Sequence, residues 1–369
     1  MKTFCFKLYA SKRNRKLHKQ INVSAIIYNH CIALHKKFYK LYGKFLKLYK
    51  LQKHLTKLKK LAKYNFYSTV GSQAIQDITQ RIDRAYQLFF RNLKHKIKTA
   101  PPSFKKVKKY KSFTLKQAGY KFLDHNILII NKQKYRYFKS RDIEGKIKTL
   151  TVKRDNLGDI YIFVVCKINK NKVLVRTGKS VGFDFGLKKF LTASNGKDYT
   201  APEFFKQSSL AIKNANKNLA RKKKGSNHRQ QAKLALARLY KKISNQRKDF
   251  HFKLANKICS EYALICIEDL NIKAMQKLWG RKISDYAFSD FVKILEYQAN
   301  KIGSIVQKID RFYASSQICN VCGTKNPEIK NLAIREWVCK KCKTLHDRDK
   351  NAAINILKVG TSTFLGEVS

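Results

Sequence analysis

The sequence predicts an α/β multidomain protein. An N-terminal β-barrel carries an inserted helical domain, and a second, α/β domain is interrupted by a cysteine-rich module. Three observations carry that prediction. Two-residue alternation at residues 3–9 gives way to helical periodicity up to residue 98, and returns beyond the Pro101-Pro102 pair. The apolar run Ala263-Leu264-Ile265-Cys266-Ile267 reads as a buried strand, and the amphipathic segment SDYAFSDFVKILEYQANKIG follows it. Two Cys-x2-Cys pairs, Cys319/Cys322 and Cys339/Cys342, are separated by sixteen residues. A chain of 369 residues and 43.0 kDa admits two or three domains. With 44% hydrophobic residues, including 23 Phe and 19 Tyr, it can pack cores, which argues against global disorder.

Each element follows from its local pattern. In residues 1–11, Phe4, Phe6 and Leu8 alternate with Cys5, Lys7 and Tyr9, giving the first barrel strand. In residues 12–100, IIYNHCIALHKKFYKLYGKFLKLYKLQKHLTKLKKLAKY and GSQAIQDITQRIDRAYQLFFRNLK repeat apolar residues every three or four positions with no strict heptad, so a small helical domain is expected. Residues 101–178 complete the barrel with short alternating runs and a turn at Asn156-Leu157-Gly158-Asp159; the first strand should return to this sheet. Residues 179–313 open with a hairpin that turns at Gly186, its second strand closed by Asn195-Gly196. A basic helical hairpin follows at 205–261, broken at Gly225-Ser226-Asn227. Next come the buried strand, an amphipathic helix with Gly303 just past its end, and the strand SIVQKIDRFY. The cysteine module spans 314–345, a last helix lies within 346–359, and 360–369 reads as a flexible tail.

Charge narrows the function. Lys and Arg number 81 against 23 acids, a formal net charge of +58, and such a chain repels itself unless a polyanion neutralises it. Nucleic acid is the expected partner. No apolar run is long enough to span a bilayer, and MKTFCFKLYASKRNRKLHK has too short an apolar stretch for a signal peptide, so a cytoplasmic protein without a membrane partner is expected. Nine cysteines in such a protein do not suggest a disulfide framework. Cys5, Cys31, Cys166, Cys259 and Cys266 are scattered among apolar residues and read as core thiols.

Because acids are scarce, their positions inform. Asp184 sits mid-strand between Phe183 and Phe185, Glu268 ends the strand from Ala263, and Asp347 or Asp349 opens the last helix. Each alone also reads as a strand-end acid or a helix cap. Together, an early strand bearing Asp, a later strand ending in Glu and a helix opening with Asp form the layout of an RNase H-like nuclease. Three carboxylates can hold two divalent ions for in-line phosphodiester cleavage, and hard oxygen ligands suit Mg²⁺ or Mn²⁺. The four cysteines, Cys319, Cys322, Cys339 and Cys342, have the spacing of a structural zinc site with no open position for water. His346 reads as a local hydrogen-bonding residue rather than a fifth ligand.

The segments GFDFGL, IEDLNI, DRFYASSQICNVCG, WVCKKC and HDRDKNAAINIL resemble the transposon-encoded TnpB (OrfB) nucleases, relatives of type V CRISPR effectors. PPSFKKVKKYKSFT and KKKGSNHRQQAKLALARLYKKISNQRKDFHFKLA extend the resemblance over most of the chain. It implies a RuvC-type nuclease domain with an inserted zinc ribbon, a wedge-like barrel and a helical recognition domain. It places the three catalytic, metal-binding acids at Asp184, Glu268 and Asp349, the last chosen over Asp347 because it precedes x-Asn-Ala-Ala. It implies RNA-guided cleavage of double-stranded DNA beside a short transposon-adjacent motif, with a guide RNA from the transposon end. A monomer is expected. Nucleic-acid contacts are expected at Lys222, Lys223, Lys224 and Arg247 of the basic hairpin, and at Gln73 and Gln76 of the helical domain. Ala314 stands where the family usually has proline, a departure in a loop. A strand-transferring transposase or a guide-dependent repressor without cleavage is the alternative reading.

Overall fold

The computed structural model describes residues 1–168, 178–331 and 333–368. The chain divides into two compact units, Met1–Asn169 and Lys170–Ser369. The expected barrel boundary at 178, and the end of the β reading at 169–173, fall on or beside residues outside those described.

In the first unit, β1 (Lys2–Lys7) leads into α1 (Asn14–Tyr42), α2 (Leu48–Leu58) and α3 (Ser72–Lys94). These helices bury one stripe each: Leu17, Ile21, Ala25 and Ile32 on α1, Leu51 and Leu55 on α2, Ile75, Ile78 and Ile82 on α3. Gly43, at φ 61°, stops α1 in the left-handed conformation that glycine adopts most readily. Six strands follow: β2 (Ser112–Leu115), β3 (Tyr120–Leu123), β4 (Ile127–Ile130), β5 (Gln133–Arg136), β6 (Lys146–Arg154) and β7 (Ile160–Lys167). β1 pairs antiparallel with β7, Lys2 opposite Cys166 and Lys7 opposite Tyr161, in a sheet ordered β1-β7-β6-β2. Phe4 and Phe6 point into the core, while Cys5 and Lys7 stay partly exposed.

Where one barrel is predicted, the described strands form two sheets joined by the single bridge Leu8↔Tyr137. The reason is local. β3, β4 and β5 are linked by tight turns whose residues His125, Asn126, Asn131 and Lys132 all have positive φ, so this meander pairs with itself. The helices are tied to the other sheet by a polar relay. Arg81 bonds Asp77 one turn back and donates to Thr114 Oγ1 at 2.7 Å, and Thr114 meets Thr151 at 2.8 Å.

The second unit begins with β8 (Ser180–Phe185), β9 (Leu191–Ala193) and β10 (Asp198–Tyr199). Helices α4 (Phe204–Gln207), α5 (Ser209–Arg221) and α6 (Asn227–Glu261) follow, with the Ser226 hydroxyl capping α6 by accepting from Arg229 N–H at 3.1 Å. Then come β11 (Leu264–Glu268), α7 (Ile272–Tyr286), α8 (Phe288–Ile302) and β12 (Ile305–Ile309). The sheet runs β10-β9-β8-β11-β12, antiparallel across the first three strands and parallel across the last. α7, a helix not foreseen from the sequence, is separated from α8 by Ala287 in the left-handed conformation.

A small module between β12 and the last helix contains β13 (Glu336–Val338) paired with β14 (Leu345–Asp347). Helix α9 (Arg348–Val368) closes the described chain. It corrects the expectation of a flexible tail at 360–369: backbone helix continues to Val368. Thr361, Ser362 and Thr363 return their hydroxyls to carbonyls within the helix at 2.8–2.9 Å, and Phe364 packs against the cluster of Leu264, Cys266, Ile309 and Ile356. Among the described residues no helix is long and apolar enough to cross a membrane.

Candidate functional site

The alternation of strand side chains decides where the acids go. On β8, Val181, Phe183 and Phe185 enter one core with Leu254, Ile258, Phe288 and Phe291 of α6 and α8. On β11, Ile265 and Ile267 do the same. The intervening residues therefore face the other side of the sheet. There Leu264 and Cys266 meet Ile356 of α9, and Gly182 lies against the α9 backbone. Asp184 and Glu268 continue those two rows. They lie one position beyond the register pair Ile267↔Phe183, on parallel neighbours that sit about 4.8 Å apart in such sheets. α9 covers this face, and its first turn carries Asp349.

The helix start separates the two candidate acids of the last motif. Asp347 Oδ1 accepts from Lys350 N–H at 2.8 Å, so Asp347 is the cap. Asp349 faces Arg335, at 3.3 Å, and lies near enough to Asp184 for their charges to interact.

Electrostatics bind the three together. Asp184 retains some surface exposure, yet burial of its carboxyl pushes its pKa well above the usual range, and the charges of Glu268 and Asp349 push it further. The Arg348 guanidinium and the Phe185 backbone N–H oppose that rise. Burial also raises Glu268, offset in part by the Ser315 hydroxyl, which donates to Glu268 Oε1. A cavity of about 240 Å³, lined in part by Glu268, Ser289, Lys293 and Lys308, opens beside it. A buried Asp184 carboxyl raised by two neighbouring carboxylates, with one guanidinium opposing that rise, suits a bound divalent cation.

The cysteines form a second centre. Among the described residues they are the one group of possible metal ligands found together, their ligand atoms all within 4.8 Å of one another. Cys319 and Cys342 sulfurs are 3.6 Å apart, as are Cys322 and Cys339. Tetrahedral Zn–S bonds of about 2.3 Å place sulfurs roughly 3.8 Å apart, so four thiolates of this set could hold one zinc ion. The two halves repeat. Cys319 N–H donates to Thr324 O at 3.0 Å and Cys339 N–H to Thr344 O at 2.9 Å. Gly323 and Lys343 occupy equivalent left-handed positions. Hydrogen bonding with Thr324 lowers the Cys322 thiol to about 6, whereas burial raises Cys319 to about 11. His346 Nε2 lies 3.1 Å from Cys319 Sγ and its ring packs on Trp337, the hydrogen-bonding place expected for it.

The expected nucleic-acid residues divide between the two units, Gln73 and Gln76 in the first and the rest in the second. Lys223 and Lys224 are exposed at the α5–α6 turn, and Lys222 is half-buried there. Gln76 lines a cleft of about 460 Å³ with Tyr49, Lys53, Lys57 and Lys60; Gln73 is half-buried on the same helix. Arg247 is not a free contact. It turns inward to Asp285 at 3.2 Å, and that carboxylate also accepts the Phe205 and Lys206 backbone N–H groups of α4. Sequence reasoning missed Ser315 and Arg348 near the acids. The Asn351/Asn355 spacing on α9 was a readable sign of a second polar row on that helix.

Comparison with known proteins gives consistent matches. A family model described as "Probable transposase" matches residues 163–278, and one described as "Cas12f1-like, TNB domain" matches 288–356. Two relatives bear the name "Putative RNA-guided DNA endonuclease". One, from Streptomyces pristinaespiralis, is 29% identical over 82% of this chain and 75% of its own length. The other, InsQ of Escherichia coli K12, is 25% identical over 90% and 86%. The TnpB-like protein L79 of Acanthamoeba polyphaga mimivirus is 30% identical over 58% of this chain and 43% of its own. In fold, the chain is similar to Cas12f1 from a cryo-EM complex with sgRNA and target DNA, at TM-score 0.58 and 17% identity, covering 94% of this chain and 83% of that one.

Proposed function

We propose, from its similarity in sequence to proteins named putative RNA-guided DNA endonucleases and in fold to Cas12f1, that the chain is an RNA-guided DNA endonuclease with its cleavage centre at Asp184, Glu268 and Asp349. The observation that supports this most directly is the placement of three acids, from β8, β11 and α9, on one face of one sheet. Mg²⁺ or Mn²⁺ held there would supply Lewis-acid activation and charge neutralisation for in-line phosphodiester hydrolysis. The residues themselves set the stage. Asp184 presents a partly desolvated carboxyl, Ser315 fixes one oxygen of Glu268, and Arg335 holds Asp349 at the helix start. Zinc on the four cysteines is structural in this reading, because four sulfurs leave no open position for water.

The partners are a guide RNA from the transposon end and double-stranded DNA beside a short adjacent motif, read in the cytoplasm. The +58 charge suits a structured RNA and a DNA target. The test has two arms. RNA that co-purifies when the gene is expressed with its native flanks should be one dominant species ending in sequence from beyond the element. Loaded with that guide, wild type should cut a matching target, and Asp184→Ala should bind it and not cut. A random RNA mixture would favour a strand-transferring enzyme or a general nucleic-acid binder. Normal cutting by Asp184→Ala would remove the site.

A further inference from the structure

Glu268 is the last residue of its strand, paired there with Ile309 of β12. One hydroxyl reaches it. Ser315 is buried and donates to Glu268 Oε1, although the two residues lie 47 apart in sequence. Ser315 sits in an irregular segment between β12 and the cysteine module, and such segments hold a fixed geometry only when their backbone polar groups are bound.

α9 supplies that binding. Asn351 and Asn355, one turn apart on the same face, are 1% and 3% exposed. The Asn355 amide donates to the Ser315 carbonyl at 2.8 Å and to the Ile318 carbonyl at 2.6 Å. Asn351 reaches the same two carbonyls at 3.4 and 2.8 Å, and its own oxygen accepts Asn320 N–H at 3.0 Å. Buried asparagines are unfavourable inside a helix unless their amides are satisfied, and here both are spent on one loop. Asp349 lies two residues before Asn351 on the same helix.

We propose that Ser315 is a positioning residue for Glu268, locked in place by the Asn351–Asn355 clamp, so that α9 sets the geometry of two acids: Asp349 directly and Glu268 through Ser315. The inference rests on the nuclease reading above. In guide-loaded full-length protein, Ser315→Ala should cut a saturating target about 10- to 100-fold more slowly in a single turnover. Target affinity and zinc content should stay at wild-type level. Calorimetric titration of the guide-free chain with Mn²⁺ should show weakened binding of about tenfold, the lower end of what losing a ligand's hydrogen-bond partner does. Ser315→Thr keeps the hydroxyl and should restore most of both losses. Asp184→Ala, run beside them, separates the two levels. If Asp184→Ala is inactive while Ser315→Ala cuts at the wild-type rate, the positioning role is wrong and the nuclease site stands. If Asp184→Ala cuts normally, both fall. If Ser315→Thr falls as far as Ser315→Ala, side-chain volume and not the hydroxyl matters, and the positioning role is again wrong.

Discussion

Gly182 tests whether the packing of α9 on β8 sets the acid site. A Cβ at this position would lie 2.2 Å from Ala353 O and 2.6 Å from Leu357 N. Ordinary contact begins near 3.4 Å, so the shortfall is about 1.2 Å. Residues 353 and 357 stand one helical turn apart, where an α-helix bonds N–H to C=O, so the methyl would press on backbone and not on a flexible side-chain tip. Gly182→Ala should therefore lift α9 from the sheet by roughly 1 Å. Overpacking of this kind costs about 1–3 kcal/mol. In a unit of this size each kcal/mol lowers Tm by about 2–4 °C, so a fall of roughly 2–12 °C is expected. The same displacement moves Asp349 relative to Asp184, two residues along from the substituted position. A misplacement near 1 Å can cost on the order of 10²-fold in rate. The assays are thermal unfolding of the free protein and single-turnover cleavage at a temperature where the variant is folded. Gly280→Ala is the control, because a Cβ there meets nothing within 4 Å, and it should be neutral or stabilising by up to about 1 kcal/mol. A Gly182→Ala protein that loses stability yet cuts at the wild-type rate would refute the link between this packing and the site. One that loses neither would refute the packing itself.

Other outcomes follow from the same geometry. Asp184 has a raised folded-state pKa, so the native state holds its proton more tightly than the unfolded chain does; its contribution to stability is present at low pH and lost as pH rises from about 4, the unfolded value, through the folded one. Asp184→Asn should accordingly unfold at a higher temperature than wild type at neutral pH without divalent ions, and Mg²⁺ should stabilise only the wild type; a less stable variant under those conditions would contradict the electrostatic account. Cys339→Ser should lose zinc and lower the unfolding temperature, whereas His346→Ala should keep the fold but weaken zinc retention by about 10- to 100-fold, measured by competition with a chelator. Arg247→Met strands the buried Asp285 and should destabilise by about 3 kcal/mol while leaving target affinity of the folded protein unchanged; lost affinity at unchanged stability would return Arg247 to the nucleic-acid surface.

What could be read from the sequence is what depends on neighbours in the chain. The alternation around Phe4 and Phe6, the helical stripes of α1–α3 and the two Cys-x2-Cys knuckles are local patterns, and the structure forms a strand, helices and a four-sulfur cluster there. The acid rows were legible because residue 184 follows 182, and 268 follows 266, at the strand period. What was not legible depends on distant partners. Lys132 and His125 give no glycine-like sign of positive φ, so the meander could not be separated from the larger sheet. GTSTFLGEVS has poor helix formers, but its threonines bond within the helix and Gly360 sits where a Cβ would meet Cys266 Sγ at 2.4 Å. Arg247 looked like one more cation in a basic hairpin until Asp285, 38 residues later, claimed it.

The lack of an ion pair at Asp184 and Glu268 is the feature hardest to explain without a cation. With 81 Lys and Arg against 23 acids, a carboxylate at random should find a partner easily, and many do: Asp159 with Lys7, Asp198 with Lys189, Glu203 with Lys206 and Lys282. Among the described residues, Asp184 and Glu268 form no ion pair within 4.0 Å. Arg348, the cation whose charge Asp184 feels, spends donors elsewhere, on the Asn331 carbonyl at 2.6 Å and the Ile334 carbonyl at 3.4 Å. Glu268 is given a hydroxyl and not a lysine. A lysine ammonium in this position would neutralise the site permanently, and a divalent ion could not displace a tethered charge cheaply. Keeping hydroxyl and amide groups around the carboxylates leaves their charge available, and the same neighbours that raise Asp184 in the ion-free protein would favour a cation that neutralises all three. Replacing Ser315 with Lys therefore inverts the design. Ser315→Lys should stabilise the ion-free protein against neutral pH, abolish Mg²⁺-dependent stabilisation, and stop cleavage while target binding persists. Retention of both metal response and cleavage in that variant would show that the acids do not act through a bound cation.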